Sequence, residues 1–182
     1  MATVRLVRHG EAAAGWGADL DPGLSAVGHD QARAAADALD AFGPVAIVSS
    51  PLRRTQETAA PLAQRWATTV QVDPDVGEVA SPTSDLDERA AWLKTFLPGV
   101  WAGQPAQTIR WRDALVGAVA ALAEDTMVFT HFVAINAVIA TVTDDNRVTV
   151  FRPGYCSVTT LDVTAGRIEV VDLGGQAVTA VR

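Results

Sequence analysis

Thr3-Val4-Arg5-Leu6-Val7-Arg8-His9-Gly10-Glu11 begins as a β-branched, apolar run and stops abruptly at a cation, an imidazole and a glycine. A run of this length and composition predicts a buried strand over Thr3–Val7. Residues just past the carboxyl end of such a strand lie where open α/β sheets place their chemistry. Arg8, His9, Gly10 and Glu11 are thus the first residues to weigh, and the order in which strands and helices follow decides the fold.

Working outward, residues 12–23 are glycine-punctuated and aperiodic, a loop. From Ser25, apolar residues recur at helical spacing through Val27, Ala32, Ala35, Ala36 and Leu39. Ser25 is placed to cap this helix and Gly43-Pro44 to stop it. Val45–Val48 reads as a second strand and Leu52 to Trp66 as a helix with Pro51 in its first turn. Val70–Val72 is a third strand, followed by an irregular loop over Asp73–Ser84. Helices over Asp85–Phe96 and Ala106–Ala123, separated by a break at Pro98–Pro105, lead to a strand at Met127–Phe129 that delivers Thr130-His131. A helix over Val133–Val142 follows, then strand-like segments at Val148–Phe151, Ser157–Val163 and Arg167–Asp172, with Ala165-Gly166 as a hairpin turn. Strands alternating with helices predict a layered α/β fold, a three-layer α/β/α sandwich around a mostly parallel sheet. No repeat or linker divides the chain, so a single domain over residues 1–182 is expected.

His9 and His131 occupy equivalent places, each directly after an apolar strand. If the two strands are parallel neighbours, both imidazoles reach one crevice. At this point the chain resembles the histidine phosphatase superfamily, also called phosphoglycerate mutase-like, whose hallmark is Arg8-His9-Gly10 near the start of the chain. Further matches arrive in order: Leu24-Ser25-Ala26-Val27-Gly28 with Gln31-Ala32, Ser49-Ser50-Pro51-Leu52-Arg53-Arg54-Thr55 with Thr58-Ala59, and Thr130-His131. The resemblance implies that His9 is a nucleophile attacking phosphorus, its second ring nitrogen tied to a backbone carbonyl. It implies that Arg8, Arg54 and His131 bind the phosphate, with Gly10 and Glu11 in support. It implies an acid in the loop after the third strand, and Glu78 fits best; to donate a proton at neutral pH, its pKa must be raised. Glu11 follows the nucleophile too closely to be that acid and is expected to orient an arginine. Neighbouring positions on a helix point about 100° apart, so only one of Arg53 and Arg54 can enter the pocket; the family spacing selects Arg54, against the alternative that both are exposed helix arginines paired with Glu57. Ala12-Ala13-Ala14-Gly15 departs from the family pattern, which often holds phosphate with Ser, Thr and Asn side chains there.

Composition bounds the function. The net charge of −7 excludes non-specific nucleic-acid binding. The longest apolar runs are far short of the roughly 20 residues of a spanning helix, so no membrane association is expected. No signal-peptide core precedes Arg8, which makes the cytoplasm the default location. Cys156 is the only cysteine and is read as a small buried residue in a strand. His29 is read as an exposed helix residue without a role, and Trp16 as lining the pocket mouth.

The reading is therefore a phosphatase that needs no metal or cofactor and acts on a phosphorylated small molecule or phosphoprotein through phosphohistidine. Two alternatives stand beside it. One is a mutase-type phosphotransferase, although mutases of this family carry insertions that this chain lacks after Pro98. The other is an inactive module that binds a phosphorylated ligand, which the retained His9, Arg8, Arg54 and His131 oppose. The pattern fixes neither the substrate nor the oligomeric state.

Overall fold

The computed structural model describes residues 1–15 and 17–177. Its six strands are β1 (Ala2–Arg8), β2 (Ala46–Ser49), β3 (Val70–Val72), β4 (Thr126–Thr130), β5 (Val158–Thr164) and β6 (Arg167–Asp172). They form one sheet in the order β3-β2-β4-β1-β5-β6. The first four are mutually parallel along that order, and β5 and β6 are antiparallel. The helices are α1 (Ala26–Leu39), α2 (Arg53–Arg65), α3 (Leu86–Phe96), α4 (Ala106–Ala120) and α5 (Phe132–Val142).

Alternation along the strands builds the two outer layers. Val4 and Leu6 of β1, Val48 of β2 and Val128 of β4 pack with α5, Leu115 and Val119 of α4, and Phe96 of α3. Val7, Ile47, Met127 and Phe129 face the other way, onto Ala36 and Leu39 of α1 and Ala59, Leu62 and Ala63 of α2. The expected three-layer α/β/α sandwich with a mostly parallel sheet is thus the observed one.

Pairing β1 with β4 sets Arg8 opposite Thr130, and pairing β4 with β2 sets Phe129 opposite Ser49. Three adjacent parallel strands therefore end together, and the residues that follow them, His9, His131 and Ser50, emerge at one sheet edge. This is the geometric condition on which the two-histidine reading depended.

Caps explain most boundaries. The Ser25 hydroxyl accepts from the Gly28 amide and starts α1, and the Asp85 carboxylate accepts from the Asp87 and Glu88 amides and starts α3. Ala165 and Gly166 both have positive φ, 50° and 81°, the twist of a tight hairpin between β5 and β6.

Four expectations need correction. Pro51 lies in the turn before α2 rather than in its first turn, because the helix begins at Arg53. Pro74–Val76 form a short 3₁₀ turn inside the expected loop. Cys156 lies not in a strand but in a turn, with φ of 55°. Val148–Phe151 is not a strand either. Its Val148 amide donates to the Gly99 carbonyl, and its Val150 and Phe151 amides are taken by Asn136, a fully buried residue of α5: Oδ1 accepts from them at 2.8 and 3.0 Å, while Nδ2 donates to the Phe132 carbonyl. A segment whose N–H groups are claimed by a helix side chain cannot offer them to a neighbouring strand.

Replacing Asn136 by Leu would strand those two amides and is expected to lower unfolding stability by about 3 kcal/mol, from about 1–3 kcal/mol per buried unsatisfied group. Urea titration of the two proteins measures it; a loss below about 1 kcal/mol would contradict the clamp.

Candidate active site

His9 leaves β1 held by backbone: its amide donates to the Thr130 carbonyl at 3.0 Å, and the next amide, of Gly10, donates to Thr58 Oγ1 of α2. Glycine is required at position 10, since a Cβ there would come within 2.7 Å of the Gly28 carbonyl oxygen. His9 Nδ1 lies 2.7 Å from the Gly10 carbonyl, and Nε2 lies 3.2 Å from Arg54 Nε. A carbonyl can only accept and a guanidinium can only donate, so the proton is on Nδ1 and the Nε2 lone pair faces the pocket. Burial, then the charges of Arg54 and Arg8, hold the His9 pKa well below its ordinary value, so the ring is neutral.

His131 is completely buried, its ring centroid 5.3 Å from that of His9. Burial and the same cations keep it neutral too. Its Nε2 is 2.8 Å from Ser50 Oγ, and its Nδ1 has no partner among the described residues.

Arg8 and Arg54 supply the positive charge. Arg8 is 3% exposed; Nη1 donates to the Pro153 carbonyl at 2.8 Å, the Tyr155 ring lies 4.1 Å below the guanidinium, and Nε has no partner among the described residues. Arg54 is 7% exposed, with the Asp21 carboxylate 3.9 Å from Nη1. Burial draws both guanidinium pKa values down, while Tyr155 raises that of Arg8 and Glu78 raises both. Both cations are buried at a pocket that Glu78, Glu11 and Asp19 also line, so their charge is partly offset by carboxylates. Arg53 points outward and pairs with Glu57, as the spacing of the two arginines requires. His29 is half exposed and lies 3.8 Å from the same carboxylate.

Glu78 faces this pocket from the loop after β3. Its carboxylate accepts from its neighbour Val79 and from the Val133 and Ala134 amides in the first turn of α5. Burial is the largest influence and pushes its pKa up to about 6, against the pull of those amides and of Arg54 and Arg8. The loop is tied down by Thr130 Oγ1, which donates to the Val76 carbonyl, and by Trp111 Nε1 of α4, which donates to the Gly77 carbonyl. The Glu11 carboxylate accepts from Ser25 Oγ, so it braces the start of α1 instead of orienting an arginine.

The cavity measures about 270 Å³, and Glu11, Ala12–Gly15, Asp19, Leu20, Pro22, Ser25, Arg89, Phe132 and Tyr155 complete its wall. The expectation for Trp16 lies outside the described residues. Three contributors carried no assignment in the sequence: Ser50, Tyr155 and Arg89. Ser50 had a signal, since it follows β2 as His9 follows β1 and His131 follows β4. Tyr155 and Arg89 reach the pocket from distant segments and had none.

The profile of the histidine phosphatase superfamily (branch 1) matches residues 4–175. An uncharacterized protein of Mycobacterium tuberculosis is 49% identical over 82 residues, 43% of this chain and 41% of its own length. Glucosyl-3-phosphoglycerate phosphatase of the same organism is 40% identical over 112 residues, 59% of this chain and 47% of its own. These matches thus span less than half of either curated relative. Among solved structures, phosphoserine phosphatase of Entamoeba histolytica in complex with 3-phosphoglyceric acid aligns with a TM-score of 0.75 at 20% identity, covering 97% of this chain and 98% of that one. At that identity the likeness speaks for the fold.

Because Arg54 enters the pocket and Arg53 does not, Arg54→Lys is expected to weaken inorganic phosphate binding about tenfold, and Arg53→Lys to change it less than twofold, since an ammonium cannot reproduce the guanidinium fork. Calorimetric titration compares the two; equal effects would contradict the assignment.

Proposed function

Because this chain belongs to the histidine phosphatase superfamily, we propose that it is a metal-independent phosphomonoester hydrolase working through phosphohistidine on His9. The observation that carries the reading is the neutral His9 ring, tied through Nδ1–H to the Gly10 carbonyl and presenting Nε2 beside a buried guanidinium.

In the first step the Nε2 lone pair attacks phosphorus, a P–N bond forms, and the P–O bond to the leaving group breaks. Arg54 gives up its contact with Nε2 for one with a phosphoryl oxygen. Arg8, Arg54 and His131 stabilise the charge spread over the equatorial oxygens, the task on which enzymatic phosphoryl transfer chiefly depends. Glu78 protonates the departing oxygen. Its raised pKa suits a donor near neutrality, and a phosphate dianion beside it would raise that pKa further. In the second step water attacks phosphorus, passes a proton to the Glu78 carboxylate and releases His9.

The reading favours hydrolysis over transfer to a second substrate. A 40% identical relative is named a phosphatase, and no residue of the 97–105 connection between α3 and α4 lines the pocket, where an insertion could keep water out. A cavity of about 270 Å³ fits a small phosphomonoester such as a phosphorylated organic acid better than a folded phosphoprotein. The relative acts on a phosphoglycerate derivative by name, which makes that chemistry the first to try.

His9→Ala is expected to abolish release of p-nitrophenol from p-nitrophenyl phosphate, and EDTA to leave the wild-type rate unchanged. Rapid quenching in base should trap phosphate on His9, since phosphohistidine survives alkali. Turnover in the variant, or loss of rate in EDTA, would contradict the reading.

The pH dependence has a defined sign. The acid form of Glu78 is needed, so kcat/KM falls as pH rises through about 6. Glu78→Gln should remove that limb and cost about 10²–10⁴ in kcat/KM on an alkyl phosphate, but far less in kcat/KM on p-nitrophenyl phosphate, whose leaving group needs no proton; kcat/KM reports phosphorylation of His9 and not the later water step. Equal losses on both substrates would exclude Glu78 as the acid.

A further inference from the structure

His131 contributes to the proposed chemistry only if it offers an N–H, and a neutral imidazole has one donor and one acceptor. Which nitrogen carries the proton is set by the group that the other one meets. Here Nε2 meets Ser50 Oγ at 2.8 Å, and Nδ1 is buried without a partner among the described residues.

The hydrogen bonds of Ser50 decide between the tautomers. Its Oγ already accepts from the Leu52 amide at 3.2 Å, at the start of α2, which leaves one lone pair and one proton. Ser50 is itself completely buried. If His131 carried its proton on Nε2, it would fill that lone pair. The serine proton would then lack an acceptor among the hydrogen bonds of the site, and Nδ1 would be a bare lone pair. If the serine proton goes to Nε2 instead, every group is satisfied except one: an N–H on Nδ1. The second arrangement leaves fewer buried groups unpaired. It also converts the orphan into a donor, the polarity that a phosphoryl oxygen requires, whereas a lone pair would repel it.

We infer that Ser50 is a positioning residue that holds His131 as its Nδ1–H tautomer, so that an uncharged imidazole donates a hydrogen bond to the phosphoryl group in transit. The inference rests on the phosphoryl-transfer reading above and assigns a role to the residue that ends the β2 arm of the site. Burial beside Arg8 and Arg54 keeps the ring neutral, so the tautomer, and not protonation, determines what it can give. No atom of Ser50 touches substrate in this scheme. Its effect passes through the histidine.

The test reads the ring nitrogens directly. The chain has three histidines, so long-range ¹H–¹⁵N correlation of the uniformly labelled protein resolves three imidazoles, and His131→Asn identifies the one in question. Wild-type protein is expected to show a protonated Nδ1 and a bare Nε2 at His131. Ser50→Ala should shift the signature towards the Nε2–H form and lower kcat about tenfold, the scale of one lost hydrogen bond. Ser50→Thr keeps the hydroxyl and should restore the nitrogen signature. A proton on Nε2 in the wild type overturns the inference, and so does a Ser50→Ala protein with unchanged signature and unchanged kcat. The wild-type signature is read without turnover, so failure here is distinguishable from failure of the hydrolase reading.

Discussion

Two guanidinium groups, those of Arg8 and Arg54, are buried at the carboxyl edge of the sheet, where the Glu78 carboxylate shares their cavity. Taking such groups from water costs several kcal/mol each unless hydrogen bonds and counter-charge return it. For Arg8 the return comes from the Pro153 carbonyl, the Tyr155 ring and the Glu78 carboxylate; for Arg54 it comes from His9 Nε2, Glu78 and, at 3.9 Å, Asp21. Arg8 Nε has no hydrogen-bond partner among the described residues. On the proposed reading a phosphoryl anion takes up the donors that remain, and the rest of the fold can be understood as the scaffold that holds them in place.

That scaffold works by register. Parallel pairing in the order β2-β4-β1 brings three strand ends level, so Ser50, His131 and His9 emerge side by side. Each imidazole is then oriented by a different kind of group. His9 is fixed by a backbone carbonyl one residue away, which turns its lone pair outward; His131 meets a side-chain hydroxyl from the neighbouring strand. Glu78 is supported by helices, where α5 offers it first-turn amides and α4 anchors the preceding carbonyl through Trp111. His9 and Glu78, held by different elements, line the same cavity.

The legible part of this arrangement was the part written in local pattern. Alternating apolar strands and periodic helices gave the layers, and the paired positions of His9 and His131 after apolar strands pointed to a shared crevice before either was located. Arg54 was separable from Arg53 because adjacent helix residues cannot face one way. What failed depended on long-range partners. Val148–Phe151 has the composition of a strand, but Asn136 takes its Val150 and Phe151 amides. Cys156 looked like a strand residue and occupies a left-handed turn because the chain must double back to present Tyr155 beneath Arg8. Glu11 was expected against an arginine and instead meets Ser25, fourteen residues on, through the close approach of Gly10 and Gly28. Ser50 could have been weighed from its place after β2, had hydroxyls been given the same weight as imidazoles.

The central claim is that a tetrahedral anion is gripped between His9 Nε2, Arg8, Arg54 and His131 and becomes bonded to His9. A crystal structure of the protein soaked with orthovanadate tests it most directly. The account predicts a five-coordinate vanadium bonded to His9 Nε2, with equatorial oxygens within hydrogen-bond distance of both guanidinium groups and of His131 Nδ1, and Glu78 beside an apical oxygen. Vanadate bound elsewhere, or held in this cavity with His9 Nε2 out of bonding reach, would contradict it.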